Sequence, residues 1–349
     1  MKILITKERE CREGQQISTF DTFFTPKVIA KLEELGEVRY TDKPLDGEEL
    51  KSALKDIDIV IASWGTASYT KDILDSAPNL KMIAYTAGSI VPVLSKEDDE
   101  LQRRGIKLLS GNRFFAESVA AGTICYMLTA QRRLIDKINE VKELGWRTRT
   151  GTTSGLRKKK IGLVGFGMIA KEVVRMLSVF DVDEILVSCE YQISEEDLKK
   201  YNVRQCEIEE LFKTCDIISI HAGMTDENYH LVNKTLLESM KEDALIVNTA
   251  RGPIINENEL IDVLKTKKIR AILDVYEVEP LPKDSELRKL DNVILVPHLG
   301  GPTIDVREMI AFDFIEDIKR FINGEPLVNE MSYDYAKRMT DDTKFGKKI

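Results

Sequence analysis

The sequence predicts an α/β protein built on two doubly wound parallel sheets, and three observations predict it. Short, nearly all-apolar segments such as Ile59-Val60-Ile61-Ala62 and Leu245-Ile246-Val247 recur along the chain, as expected of strands buried on both faces. Amphipathic stretches of helical period separate them, and that alternation predicts a parallel sheet covered by helices. The chain has 349 residues, enough for two domains with cores of their own.

In chain order, the first strands are Lys2 to Thr6, Ile57 to Ala62, Leu80 to Tyr85 and Ile106 to Leu109, with helices that include Pro26 to Leu35 and Gly47 to Leu54. Ligands of such sheets bind at the carboxyl ends of strands. The loops there are Lys7 to Asp21, with Arg9 and Arg12, then Ser63 to Thr66 and Thr86 to Ser89. Glu117 to Leu144 carries a long apolar stripe and predicts one extended helix, longer than a single domain needs. Gly145 to Lys160 reads as a loop. Later strands are predicted at Ile161 to Val164, Glu184 to Cys189, Asp216 to Ile220, Ala244 to Asn248, Ala271 to Val275 and Asn292 to Val296, and helices at Asn256 to Leu264 and Asp305 to Phe321. Residues 331–349 are polar and charged and predict a loosely held tail.

Composition narrows the function classes. A net charge of −8 argues against an electrostatic nucleic-acid binder. No apolar run reaches the length of a membrane span, and the apolar start Ile3-Leu4-Ile5 is too short for a signal peptide. The five cysteines are scattered, never in Cys-x-x-Cys spacing, which predicts reduced thiols in a cytoplasmic protein. His221, His230 and His298 are too few and too spread for a zinc site, so no metal is expected.

The most informative stretch is Lys160 to Glu190. Gly165-Phe166-Gly167-Met168-Ile169-Ala170 follows an apolar strand directly and opens an amphipathic helix. Gly165 permits the tight turn, Gly167 lets a pyrophosphate approach the backbone, and Ala170 lets the helix pack close to the sheet. The helix N-terminus offers unpaired N–H groups to phosphate. Glu190 ends the next strand, 20 residues past Ala170, where an acid meets the ribose hydroxyls. Strand, turn, helix, strand and acid in register predict dinucleotide binding.

Three further stretches end predicted strands: Asn248-Thr249-Ala250-Arg251-Gly252, Asp274-Val275-Tyr276-Glu277-Val278-Glu279-Pro280 and Pro297-His298-Leu299-Gly300. With the glycine turn, and in that order, they make the chain resemble the D-isomer-specific 2-hydroxyacid dehydrogenases over nearly its whole length. The resemblance implies two Rossmann-like domains. The cofactor domain, 113–300, is inserted into a flavodoxin-like substrate domain formed by 1–112 and 301–349. It implies an NAD-dependent enzyme moving a hydride between the nicotinamide and a 2-hydroxy or 2-keto acid. His298 is then the acid/base, Glu279 its partner and Arg251 the residue that binds substrate. The bare chemistry agrees: a planar guanidinium suits a carboxylate, imidazole exchanges protons near neutral pH, and a carboxylate favours the charged imidazole.

By the same resemblance, Phe166, Met168, Ile169, His221, Ala222, Thr249, Ala250, Asp274 and Gly300 join Gly165, Gly167 and Glu190 around the cofactor. Ala87 and Gly88 match a loop whose N–H groups hold the substrate carboxylate, and Trp64 is a candidate pocket wall. A homodimer through helix 117–144 is expected. The chain departs from the family pattern at Gly88 to Val93, at Val119-Ala120-Ala121 and at Gly223, where a proline is usual. The substrate pocket therefore differs from those of the common lactate, glycerate and phosphoglycerate enzymes. Two alternatives stand beside this reading: a non-catalytic NAD sensor of corepressor type, and a phosphite-type dehydrogenase of the same fold.

Overall fold

Five parallel strands form the first sheet: β1 Lys2–Ile5, β2 Glu37–Tyr40, β3 Ile59–Ala62, β4 Met82–Tyr85 and β5 Lys107–Ser110, in the order β2-β1-β3-β4-β5. The computed structural model describes residues 1–7, 19–96, 98–146, 153–337 and 339–340. Side chains alternate along each strand, so both faces are buried. Leu4, Val60, Ile83 and Leu108 face one core; Ile3, Ile5, Ile59, Ile61, Met82 and Leu109 face the other, with Phe23, Val28, Leu32, Phe314 and Ile318. The helix Pro26–Glu33 starts on Thr25, whose hydroxyl accepts the Val28 N–H, with Pro26 at its first position.

The second sheet has seven parallel strands: β6 Lys160–Val164, β7 Glu184–Ser188, β8 Arg204–Gln205, β9 Ile217–Ile220, β10 Leu245–Asn248, β11 Arg270–Leu273 and β12 Val293–Leu295. Their order is β12-β11-β10-β9-β6-β7-β8. The chain leaves β6 toward β7 and β8, then returns to the other side of β6 as β9. That reversal is the switch point at which open α/β sheets bind ligands. The described residues divide into two units, Met1–Phe115 with those from Pro302 onward, and Ala116–Gly301. Among the described residues, no helix is long and apolar enough to cross a membrane.

Two expectations are corrected. The long helix is two: Asn112–Gln131 and Leu134–Leu144, with Arg133 left-handed between them at φ 48°. The first helix ends because its last carbonyls are taken by other partners. The Arg270 guanidinium donates to the Ala130 carbonyl at 2.9 Å, and the Ser154 N–H to the Gln131 carbonyl at 2.8 Å. The stretch from 331 to 340 is not loose in its described part. Met331 donates its N–H to the Leu108 carbonyl at 2.8 Å, and Tyr333–Ala336 is a short helix with Ala336 fully buried. Strands β2 and β8 were not predicted; both are edge strands with little apolar content. Arg9 and Arg12 lie outside the described residues.

Candidate active site

Every element of the second unit that bears a candidate residue does so at the carboxyl end of a strand. Gly165 leaves β6 at φ +96°, and a Cβ there would meet the Ala222 nitrogen at 2.6 Å and the His221 carbonyl carbon at 2.7 Å. Only glycine satisfies both the angle and the approach of β6 to the end of β9. Gly167 caps the Met168–Leu177 helix without a side-chain hydrogen bond, and a Cβ on it would meet nothing within 4 Å. This open turn on an uncapped helix N-terminus is the cradle a pyrophosphate requires. His221 adds a buried Nδ1 with no hydrogen-bond partner, while its Nε2 lies 2.9 Å from the Ser219 hydroxyl. Burial pushes the His221 imidazole down to about 3, so it presents a neutral ring to a ligand. Glu190 stands exposed just past β7. These features fit a dinucleotide.

The Phe166 ring is buried edge-on against Tyr201, at 5.6 Å between centroids, and its carbonyl accepts the Tyr191 hydroxyl at 2.7 Å. Ile169 and Ala222 pack against the core, whereas Met168 is partly exposed. Thr249 and Ala250 are buried, and the Thr249 hydroxyl lies 3.1 Å from that of Thr123.

Arg251 is built by Asn248, the residue that ends β10. The Asn248 Oδ1 accepts the Ala250 N–H at 3.0 Å, and its Nδ2 donates to the Arg251 carbonyl at 2.9 Å. The guanidinium donates from Nη1 to the Ala250 carbonyl at 2.7 Å. The next residue, Gly252, lies so close to the Tyr276–Glu277 peptide that a Cβ would fall 1.9 Å from the Tyr276 carbonyl carbon. The turn carrying Arg251 is thus packed on the turn carrying Glu279.

Glu279 Oε2 lies 2.8 Å from His298 Nδ1, and its Oε1 accepts the Tyr276 N–H at 3.2 Å. Burial pushes the Glu279 carboxyl up. The hydrogen bond and charge of His298, the Tyr276 N–H and the Arg251 charge outweigh that and hold it below the usual carboxylate range. Glu279 is therefore ionised at neutral pH. His298 itself is left-handed, φ 53°, a conformation that persists only where the surroundings dictate it. They do: Asp274, 1% exposed, accepts the Leu299 N–H at 2.7 Å and the Gly300 N–H at 2.8 Å. Tyr126 donates to the same carboxylate at 3.2 Å; burial and Asp274 push its phenol up, so it keeps its proton. Asn248 and Tyr126 were not singled out from sequence. Their partners are chosen by the fold, although Asn248 stands inside the Asn-x-x-Arg motif.

In the first unit, the Ser110 hydroxyl donates toward the carbonyls of Ala87 and Gly88, at 3.1 and 2.7 Å. In a trans peptide the N–H opposes the C=O, so the N–H groups of Gly88 and Ser89 point away from Ser110. Trp64 sits in an aromatic row between Phe23 and Phe115, at 5.9 and 6.0 Å, and its principal contacts are packing ones. Among the described residues, no group of three His, Cys, Asp or Glu side chains is arranged to hold a metal.

Comparison with known proteins identifies the family. Residues 124–300 match the NAD-binding domain of the D-isomer specific 2-hydroxyacid dehydrogenases. A glyoxylate reductase of Thermofilum pendens is 33% identical over 289 residues, 81% of this chain and 84% of that protein. A hydroxypyruvate reductase of Thermotoga maritima is 31% identical, covering 81% of this chain and 90% of that one. The fold also matches a D-lactate dehydrogenase of Aquifex aeolicus, crystallised with NAD and lactic acid, at a TM-score of 0.69 and 23% identity over 93% of this chain and 96% of that chain. The chain belongs to the D-isomer-specific 2-hydroxyacid dehydrogenases and is an NAD-dependent oxidoreductase.

Proposed function

We propose that the protein reduces a small 2-keto acid to the D-2-hydroxy acid with NADH, and runs the reverse oxidation, using Arg251, Glu279 and His298. The observation that carries this reading is the 2.8 Å pair between His298 Nδ1 and Glu279 Oε2. With Nδ1 held by a carboxylate, Nε2 is the nitrogen that gives its proton to the substrate carbonyl oxygen in reduction and takes it back in oxidation. Arg251 offers its guanidinium to the substrate carboxylate and carbonyl, and orients both. By the family resemblance, the backbone N–H groups of the Ala87–Gly88 loop serve a substrate carboxylate. Trp64 contributes to the pocket wall as a member of its aromatic row. The nicotinamide, when bound, supplies or accepts the hydride.

The dinucleotide is held by the Gly165–Ile169 turn, Glu190, His221, Ala222, Thr249, Ala250, Asp274 and Gly300. Glu190 favours NADH over NADPH, because a carboxylate repels a 2′-phosphate and Tyr191-Gln192 supplies no cation beside it. The protein works as a homodimer through the Leu134–Leu144 helix. That helix buries no residue, and Leu134, Ile135, Ile138, Val141 and Leu144 are 43–62% exposed. An apolar face of this kind calls for a partner surface, and a two-fold pair is the commonest one.

The two relatives named above as glyoxylate and hydroxypyruvate reductases support a short 2-keto acid as substrate. The test is NADH oxidation with a panel of 2-keto acids, glyoxylate and hydroxypyruvate first. Turnover of at least one is expected. NADH binding without turnover of any would sink the reading.

A further inference from the structure

A second histidine–carboxylate pair lies on the turn that follows Arg251, and no step above uses it. His230 Nε2 is 2.7 Å from Glu277 Oε1, and both side chains are about three-quarters buried, at 28% and 24% exposed. The same Glu277 oxygen accepts the Glu257 N–H at 3.0 Å, and the Glu257 carboxylate accepts the Glu277 N–H at 3.1 Å. The segments after β10 and β11 are thus tied crosswise by two carboxylates.

The His230 segment grips the same turn through its backbone. The His230 N–H donates to the Pro253 carbonyl at 2.8 Å, the Val232 N–H to Ile254 at 3.0 Å, and the Asn256 N–H to Val232 at 3.0 Å. Tyr229 stacks on the His230 ring at 4.0 Å. Burial pushes the Glu257 carboxyl up; the Glu277 N–H that it accepts opposes that push, and the Glu277 charge adds a smaller one upward. His230 Nε2, 2.7 Å from the Glu277 carboxylate, ties the His230 segment to the same cluster. The cluster closes around residues 252–257, the turn into which the Arg251 backbone runs.

We propose that Glu277, with His230, is a positioning residue for Arg251: it fixes the Gly252–Ile254 turn and thereby sets the affinity for the substrate's carboxylate. The proposal rests on the reading of Arg251 as the substrate-binding residue.

The experiment measures kcat and KM for glyoxylate, and the Kd of NADH, in wild type, Arg251→Lys, Glu277→Ala, Glu277→Gln and the Arg251→Lys/Glu277→Ala double variant. Glu277→Ala should raise KM by about tenfold through lost hydrogen bonds, with NADH Kd within about twofold. Glu277→Gln keeps an acceptor oxygen for both donors and should stay within about threefold of wild type. Because Glu277 acts through Arg251, its loss in the Arg251→Lys background should add less than about twofold. Three results would overturn the proposal: KM for Glu277→Ala within about twofold of wild type, losses that multiply in full in the double variant, or NADH affinity falling in parallel. A large loss in Arg251→Lys with none in Glu277→Ala would end this inference and leave the reading of Arg251 standing. No loss in Arg251→Lys would end both.

Discussion

Asn248 brackets Arg251: one carboxamide accepts the Ala250 N–H at 3.0 Å and donates to the Arg251 carbonyl at 2.9 Å. The side chain is 1% exposed, so water does not substitute for either bond. Asn248→Asp keeps the acceptor but sets an oxygen against the Arg251 carbonyl. We expect kcat/KM for the keto acid to fall by about tenfold or more. Steady-state kinetics check this; an unchanged kcat/KM would show that the bracket does not set the guanidinium.

Asp274 should matter for stability as well as turnover. Asp274→Asn places an N–H donor against the N–H groups of Leu299 or Gly300 in a site with little room for water. A cost of about 1–3 kcal/mol follows. The thermal midpoint should drop by several degrees, and kcat should fall with it because the same two N–H groups shape the turn of His298. A wild-type melting curve with reduced kcat would assign Asp274 to the cofactor alone.

Cofactor choice should follow Glu190. The ratio of kcat/KM for NADH over NADPH should exceed about tenfold in wild type and narrow in Glu190→Ser, which removes the charge that opposes the 2′-phosphate. Equal use of the two cofactors by wild type would contradict the assignment.

The exposed Leu134–Leu144 face should be covered in solution. Light scattering should give twice the chain mass at micromolar concentration. Ile138→Asp, which puts a charge in the centre of that face, should give a monomer. A monomeric wild type would show that this face is not the interface.

Much of this was legible in the sequence because it is local. An apolar run buried on both faces reads the same in either sheet, and the glycine turn, Arg251, Glu279 and His298 lie in short motifs at strand ends. What was missed depends on distant partners. β2, with Val38 its one aliphatic residue, forms because Glu37–Tyr40 pairs in register with Lys2–Ile5. The apolar recurrence from Glu117 to Leu144 gave no sign of a break, because the break comes from Arg270 and Ser154, which cap a helix that ends at Gln131. The described part of the polar stretch 331–340 is held by Met331, Tyr333 and Ala336 packing on the first sheet, a pattern too sparse to read as an element. His230 and Glu277 are 47 residues apart, and nothing in their spacing announces the pair.

The measurement that tests the pairing of Glu279 with His298 most directly is kcat/KM for keto-acid reduction as a function of pH, in wild type and Glu279→Gln. Reduction requires a proton on Nε2 of the imidazole, so the rate falls on the alkaline side. Glu279 is held below the usual carboxylate range and is ionised at neutral pH, and a carboxylate beside an imidazole favours the charged ring. Gln keeps the shape and an acceptor oxygen but removes the charge. The alkaline limb should therefore move to lower pH. Oxidation, which needs neutral imidazole, should be less impaired at low pH. An alkaline limb that stays in place or moves upward would contradict the pairing.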